Sequence, residues 1–108
     1  MKNQIKTLNN LDPKFKEINT PFSALDYESK DLKTNEKTFI RFVNSSVYNK
    51  NIQELLSSNE FKNKHKIILV KDSTMSCSAK ELLKIHDKLN QIQIIDKQLW
   101  STYFKIKQ

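Results

Sequence analysis

Residues 66–100 read KIILVKDSTMSCSAKELLKIHDKLNQIQIIDKQLW, and this stretch decides the fold. It opens with a continuous apolar run, Ile67-Ile68-Leu69-Val70. The run is too short for a globular helix and rich in β-branched residues, so it predicts a strand buried on both faces. A polar break follows from Lys71 to Cys77. Ser78-Ala79-Lys80-Glu81 then has the form of a capping box, with Ser78 as N-cap and Glu81 reaching back. Leu82, Leu83, Ile85, His86 and Leu89 are the expected apolar face of the helix. A second β-branched run, Ile92 to Ile95, closes the unit. Strand, helix, strand is the crossover that parallel pairing requires.

Working upstream, Thr38 to Val43 is aromatic and β-branched and predicts another strand. Asn44 to Ser46 turns the chain. Tyr48, Ile52, Leu55, Leu56 and Asn59 follow helical spacing. From Thr38 onward the order is therefore β-α-β-α-β. The expected fold class is α/β: a small mixed sheet in βαβαβ order with helices covering it. Glu28 to Lys37 reads as a charged loop. Phe22 to Tyr27 alternates loosely, as an edge strand or a helical turn would. Residues 1–21 read as a polar N-terminal segment, helical or flexible, with Ile5, Leu8, Leu11, Phe15 and Ile18 at helical spacing. Residues 22–108 read as one α/β domain. Downstream, Gln98 to Tyr103 suggests a turn and Phe104 to Lys107 a terminal strand.

Composition removes whole classes of function. There is no glycine, against an average usage of about 7%. A glycine-rich phosphate loop, a dinucleotide fingerprint and a nucleophile elbow are thereby excluded. Turns must be made by Asn, Asp, Ser and Pro. The single cysteine, Cys77, excludes an intrachain disulfide. Residues 1–10 lack the apolar core of a signal peptide, and no apolar run reaches membrane-spanning length. A soluble, cytoplasmic protein with no membrane partner is expected.

The net charge is +7, and eighteen of the nineteen basic residues are lysine. Lysine offers backbone attraction to a polyanion, whereas base readers favour the arginine fork. Asn, Ile, Phe and Lys are also residues favoured by A/T-rich coding. Cys77 lies before a helix, but His65 and His86 fall too far along the chain to serve it as a base. One cysteine and two histidines without a paired spacing predict no metal site and no cofactor. Acid-x-Lys pairs occur at Asp12/Lys14, Glu28/Lys30, Asp31/Lys33 and Glu60/Lys62. None falls on the strands expected at Thr38–Val43, Lys66–Val70 and Ile92–Ile95, which leaves a small metal-dependent nuclease as a third reading.

The segment around Ser76–Lys80 resembles the N-terminal jaw domain of the subunit shared by nuclear RNA polymerases I, II and III, which has counterparts in large cytoplasmic DNA viruses. In that family an apolar strand enters a Thr-Pro-Ser-Ala turn, often preceded by Met and followed by Lys. A helix, a β-branched strand and a His-Glu-Leu-Val-like turn come next. Here Lys66–Val70 is similar to the strand, and Met75-Ser76-Cys77-Ser78-Ala79-Lys80 to the turn, with Cys77 standing where the family has Pro. Ile92–Ile95 and Lys97-Gln98-Leu99-Trp100 follow in the same order.

The resemblance implies a non-catalytic small subunit of a DNA-dependent RNA polymerase that supports transcription. Its partners would be the polymerase's largest subunit and, through weak backbone contacts, downstream double-stranded DNA. Lys71, Ser76, Cys77, Ser78, Ala79 and Lys80 would be DNA-proximal, with no catalytic residue in this chain. The composition fits a viral gene or one on a cytoplasmic linear plasmid. The alternative is a free-standing α/β interaction protein, such as an immunity or antitoxin-type binder.

Overall fold

The computed structural model describes residues 8–18, 25–44 and 46–107. The expectations for Ile5 and for Phe22–Ala24 lie outside these residues. The architecture is mixed α/β, with one open five-stranded sheet in the order β1-β2-β3-β4-β5. The strands are β1 (Lys16–Ile18), β2 (Leu25–Lys30), β3 (Lys37–Val43), β4 (Lys66–Lys71) and β5 (Ile92–Asp96). β1, β2 and β3 pair antiparallel, and β3, β4 and β5 pair parallel. Four helices lie wholly within the described residues: α1 (Asn49–Leu56), α2 (Asn59–Lys62), α3 (Cys77–His86) and α4 (Lys97–Lys107).

β4 is the central parallel strand, and its four apolar residues explain the two cores. Successive side chains leave a strand on opposite faces. Ile67 and Leu69 join Phe39, Val43 and Ile92 from the sheet with Ile52 and Leu55 of α1 and Ala79 of α3. Ile68 and Val70 join Ile40 and Ile95 with Trp100 and Phe104 of α4, and with Leu8 and Leu11. All four β4 side chains are essentially excluded from water. Burial of that kind favours the fold by about 1.5–3 kcal/mol per side chain.

Several expectations are corrected. The N-terminal segment reads as helical or flexible; Leu8 and Asn9 are helical, but Lys16–Ile18 is a strand paired with Asp26–Glu28. Leu8 and Leu11 are buried in the second core. Glu28–Lys30 is not loop but the end of β2, and the turn into β3 is only Asp31–Glu36. The helix expected over 48–59 is interrupted. Ser58 caps a new one, its Oγ accepting from the Phe61 amide at 3.2 Å. α3 ends at His86, not Leu89, and Ile85 and Leu89 are 59% and 65% exposed instead of core. The turn and strand expected after Gln98 are one helix, α4, which follows β5 without a break.

Asp87 supplies the reason for the early stop of α3. Its own amide donates to the Leu83 carbonyl at 2.8 Å. Its buried carboxylate accepts from the amides of Gln91 and Ile92, both at 2.8 Å. A side chain committed to the following turn fixes the chain's exit from the helix. Among the described residues, three have left-handed backbone: Asn35 (φ 64°), Lys64 (φ 61°) and Asn90 (φ 53°). Each lies two residues before a strand of the parallel set. No described helix is long and apolar enough to cross a membrane.

Candidate functional site at the carboxyl ends of the parallel strands

In open α/β sheets, ligands bind outside the carboxyl ends of the strands. Here β3 is followed by Asn44, by residues 46–48 and by α1, and β4 leaves into residues 72–76 and α3. The two loops run alongside each other and hold each other in place. Val47 donates to the Thr74 carbonyl at 2.9 Å, and Ser76 donates to the Val47 carbonyl at 2.9 Å. Val47 and Met75 form a parallel bridge that extends the β3–β4 pairing beyond the sheet. The Ser46 and Thr74 hydroxyls lie 3.2 Å apart.

Ser76, not Ser78, caps α3. Its backbone is extended, and its Oγ accepts from the Ala79 amide at 3.1 Å. The capping box expected from Ser78 and Glu81 is therefore displaced by two residues, and Cys77 is the first helical residue. Cys77 and Ser78 are exposed. Ala79 is fully buried in the core shared with α1. A small residue is needed there because α1 packs on α3 at that point. Of the six residues expected near DNA, Ala79 thus has a structural role.

Lys71 and Lys80 do come together. Both line an open cleft of about 530 Å³, with Thr74, Met75, Leu83 and Asp96 among its other lining residues. Lys71 Nζ reaches Asp96 Oδ1 at 2.5 Å and the Ser73 carbonyl at 3.1 Å. Lys71 and Asp96 are direct partners in the β4–β5 register. The next residue on each strand repeats the pairing with signs exchanged: Lys97 Nζ lies 3.7 Å from Asp72 Oδ2. Lys71-Asp72 and Asp96-Lys97 are thus two complementary dipeptides facing each other across the sheet's end. Their four charges cancel locally. Lys80 has no ion-pair partner among the described residues and is exposed. The cleft can hold an anion loosely, with Met75, Leu83 and the Thr74 hydroxyl nearby. Among the described residues, no group of three or more His, Cys, Asp or Glu is placed to hold a metal.

One buried arrangement carries no motif in the sequence. Arg41 on β3 and Asp26 on β2 are register partners, each about 1% exposed. The guanidinium Nε donates to Asp26 Oδ1 at 2.8 Å and Nη2 to Oδ2 at 3.3 Å. Glu54 of α1 lies 3.8 Å from Nη1. The planar fork suits two parallel bonds to one carboxylate, which lysine cannot make. The signal was present in the composition: the chain's single arginine sits in the middle of an apolar strand. Asp31, like Asp26 and Asp87, is a buried acid. Burial alone would raise its carboxyl pKa. The Thr34 amide, the Lys66 ammonium and the Lys33 amide outweigh burial and hold it below the ordinary value of 3.8.

No protein-family model matches this chain, and no curated protein matches it either.

Proposed function

We propose that this chain is a non-catalytic small subunit of a DNA-dependent RNA polymerase, a jaw element beside downstream double-stranded DNA. Its architecture on this reading is a βαβαβ unit whose helices cover the sheet. The observation that supports the reading is the cleft that brings Lys71 and Lys80 to one rim, beside the Met75–Lys80 turn that carries the family resemblance. Lys71 is committed to Asp96, so the phosphate contact falls chiefly to Lys80. One or two ammonium groups give weak attraction that salt screens readily. Chemistry and nucleotide binding belong to the largest subunit, its partner.

Two measurements test this. A tagged chain purified from its native host is expected to bring down a polymerase largest subunit; recovery of a toxin without a polymerase would overturn the proposal. In the assembled complex, Lys80→Glu is expected to leave folding and assembly intact and to reduce the salt slope of DNA binding by about 1. An unchanged slope would remove Lys80 from the DNA path. Lys71→Glu is the wrong probe, because it sets a second acid against Asp96.

A second reading, the free-standing interaction protein of immunity or antitoxin type, draws on the exposed Ile85 and Leu89 at the end of α3. Apolar side chains in that position suit a protein partner better than a phosphate.

A further inference from the structure

We propose that the aromatic groove on the α4 side of the sheet binds single-stranded nucleic acid, taking one unstacked base against Tyr27 and Phe42. The groove encloses about 490 Å³ and is lined by Phe15, Tyr27, Phe42, Asn44 and Lys97. Phe15, Tyr27 and Phe42 are each only partly buried, so ring surface remains available to a ligand.

The rings form a corner. Tyr27 and Phe42 lie 5.5 Å apart at 89°. A planar ring entering such a corner stacks on one partner and meets the edge of the other, the two arrangements that aromatic quadrupoles favour. The corner is held from beneath. Phe42 stands edge-on to the buried Trp100 at 5.4 Å, and Phe15 packs on Trp100 at 5.4 Å and on Phe104 at 5.2 Å. Walls fixed in this way need little ordering when a ligand arrives.

The polar groups fit a nucleotide. Asn44 follows the last residue of β3, is exposed, and carries both a donor and an acceptor for a base edge. Lys97 offers an ammonium for the phosphodiester. Its pairing with Asp72 at 3.7 Å joins two side chains about half exposed. Such pairs contribute little, so a phosphate can displace Asp72. The net charge of +7 draws a polyanion towards the surface and disfavours a basic partner. Duplex DNA presents no unstacked base and cannot fill the corner. This proposal does not rest on the polymerase reading, and it is tested on the isolated chain.

Trp100 is the only tryptophan and touches two walls of the groove, so its fluorescence reports occupancy. Titration with a short oligothymidylate at low salt is expected to give a saturable change. An abasic oligonucleotide of the same length, and a duplex, are expected to bind about tenfold more weakly or worse, because stacking supplies much of the affinity. Tyr27→Leu is expected to weaken oligothymidylate binding by about tenfold, with its melting temperature measured alongside. Lys97→Gln leaves the walls untouched and is expected to lower the salt dependence of binding. Equal binding of the abasic strand would overturn the proposal. So would wild-type affinity in a folded Tyr27→Leu variant, or a groove that takes an aromatic peptide and ignores oligothymidylate.

Discussion

At the amino ends of β3, β4 and β5 the chain arrives through turns that consume their own polar groups. At the carboxyl ends it departs through loops that leave polar groups over. Asp31 Oδ1 accepts from the Lys33 and Thr34 amides, and Oδ2 from Lys66 at 3.0 Å. The Gln91 side-chain amide donates to the carbonyls of Phe61 and His65, both at 3.1 Å, tying two turns together. Asp87 closes the third. Across the sheet, residues 46–48 and 72–76 are joined through backbone and through the Ser46 and Thr74 hydroxyls, while Asn44 and Lys80 remain exposed. Both the cleft beside α3 and the polar rim of the aromatic groove lie at this second end. One set of turns therefore specifies the fold, and the other is free to specialise.

If that division is right, the largest loss comes from the amino end. Asp87→Ala would strand two amides of the α3–β5 turn and is expected to destabilise the protein by about 2–3 kcal/mol. Urea denaturation measures it, and a loss under about 0.5 kcal/mol would break the contrast.

Asp31 sharpens the same point through pH. Its folded-state pKa is depressed, so its stabilising contribution is present above the ordinary value of 3.8 and is lost as pH falls through the folded-state value. Asp31→Asn is expected to be less stable than the parent at neutral pH by about 1 kcal/mol. The gap between their urea midpoints should close below about pH 4. A gap that holds constant down to pH 2 would mean that the charge of Asp31 is not what matters.

At the carboxyl end the expected effects are smaller. Ser76→Ala removes the α3 cap and is expected to cost about 1 kcal/mol, and Ser78→Ala close to nothing. Thermal melting of the pair decides between the two serines. A larger loss at Ser78 would restore the cap to the position that the Ser-x-x-Glu pattern suggests.

The parallel strands were legible because their physics is local. Four consecutive apolar β-branched or branched residues bounded by lysines can hardly be anything but a buried strand, and β4 spans Lys66–Lys71. The cap of α3 is not legible in the sequence, because Ser76 and Ser78 have the same chemistry and only backbone geometry distinguishes them. Helix α4 was hidden by its own aromatics. Trp100, Tyr103 and Phe104 look strand-like, and no turn residue separates Asp96 from Lys97. β1 carries no alternation at all, since Lys16-Glu17-Ile18 is a strand only because β2 offers it an edge. The site was half legible. Lys71 and Lys80 could be placed near one turn, but their unequal freedom depends on Asp96, which reaches Lys71 through sheet register and not through sequence proximity. The aromatic groove could not be read, because it assembles Phe15, Tyr27, Phe42 and Lys97 from four separate segments.

Asn35, Lys64 and Asn90, left-handed among the described residues, all stand at entrances to the parallel strands in a chain without glycine. Asparagine visits that region with modest penalty; lysine has no such tolerance and pays the steric cost of its Cβ, on the order of 1 kcal/mol. The turn before β4 is therefore under a compression that the turns before β3 and β5 largely escape. Part of that cost is held in reserve, recoverable by Lys64→Gly net of the larger backbone entropy that glycine loses on folding. Evolution or engineering could draw on that reserve to tolerate a costly change in the exposed loops opposite.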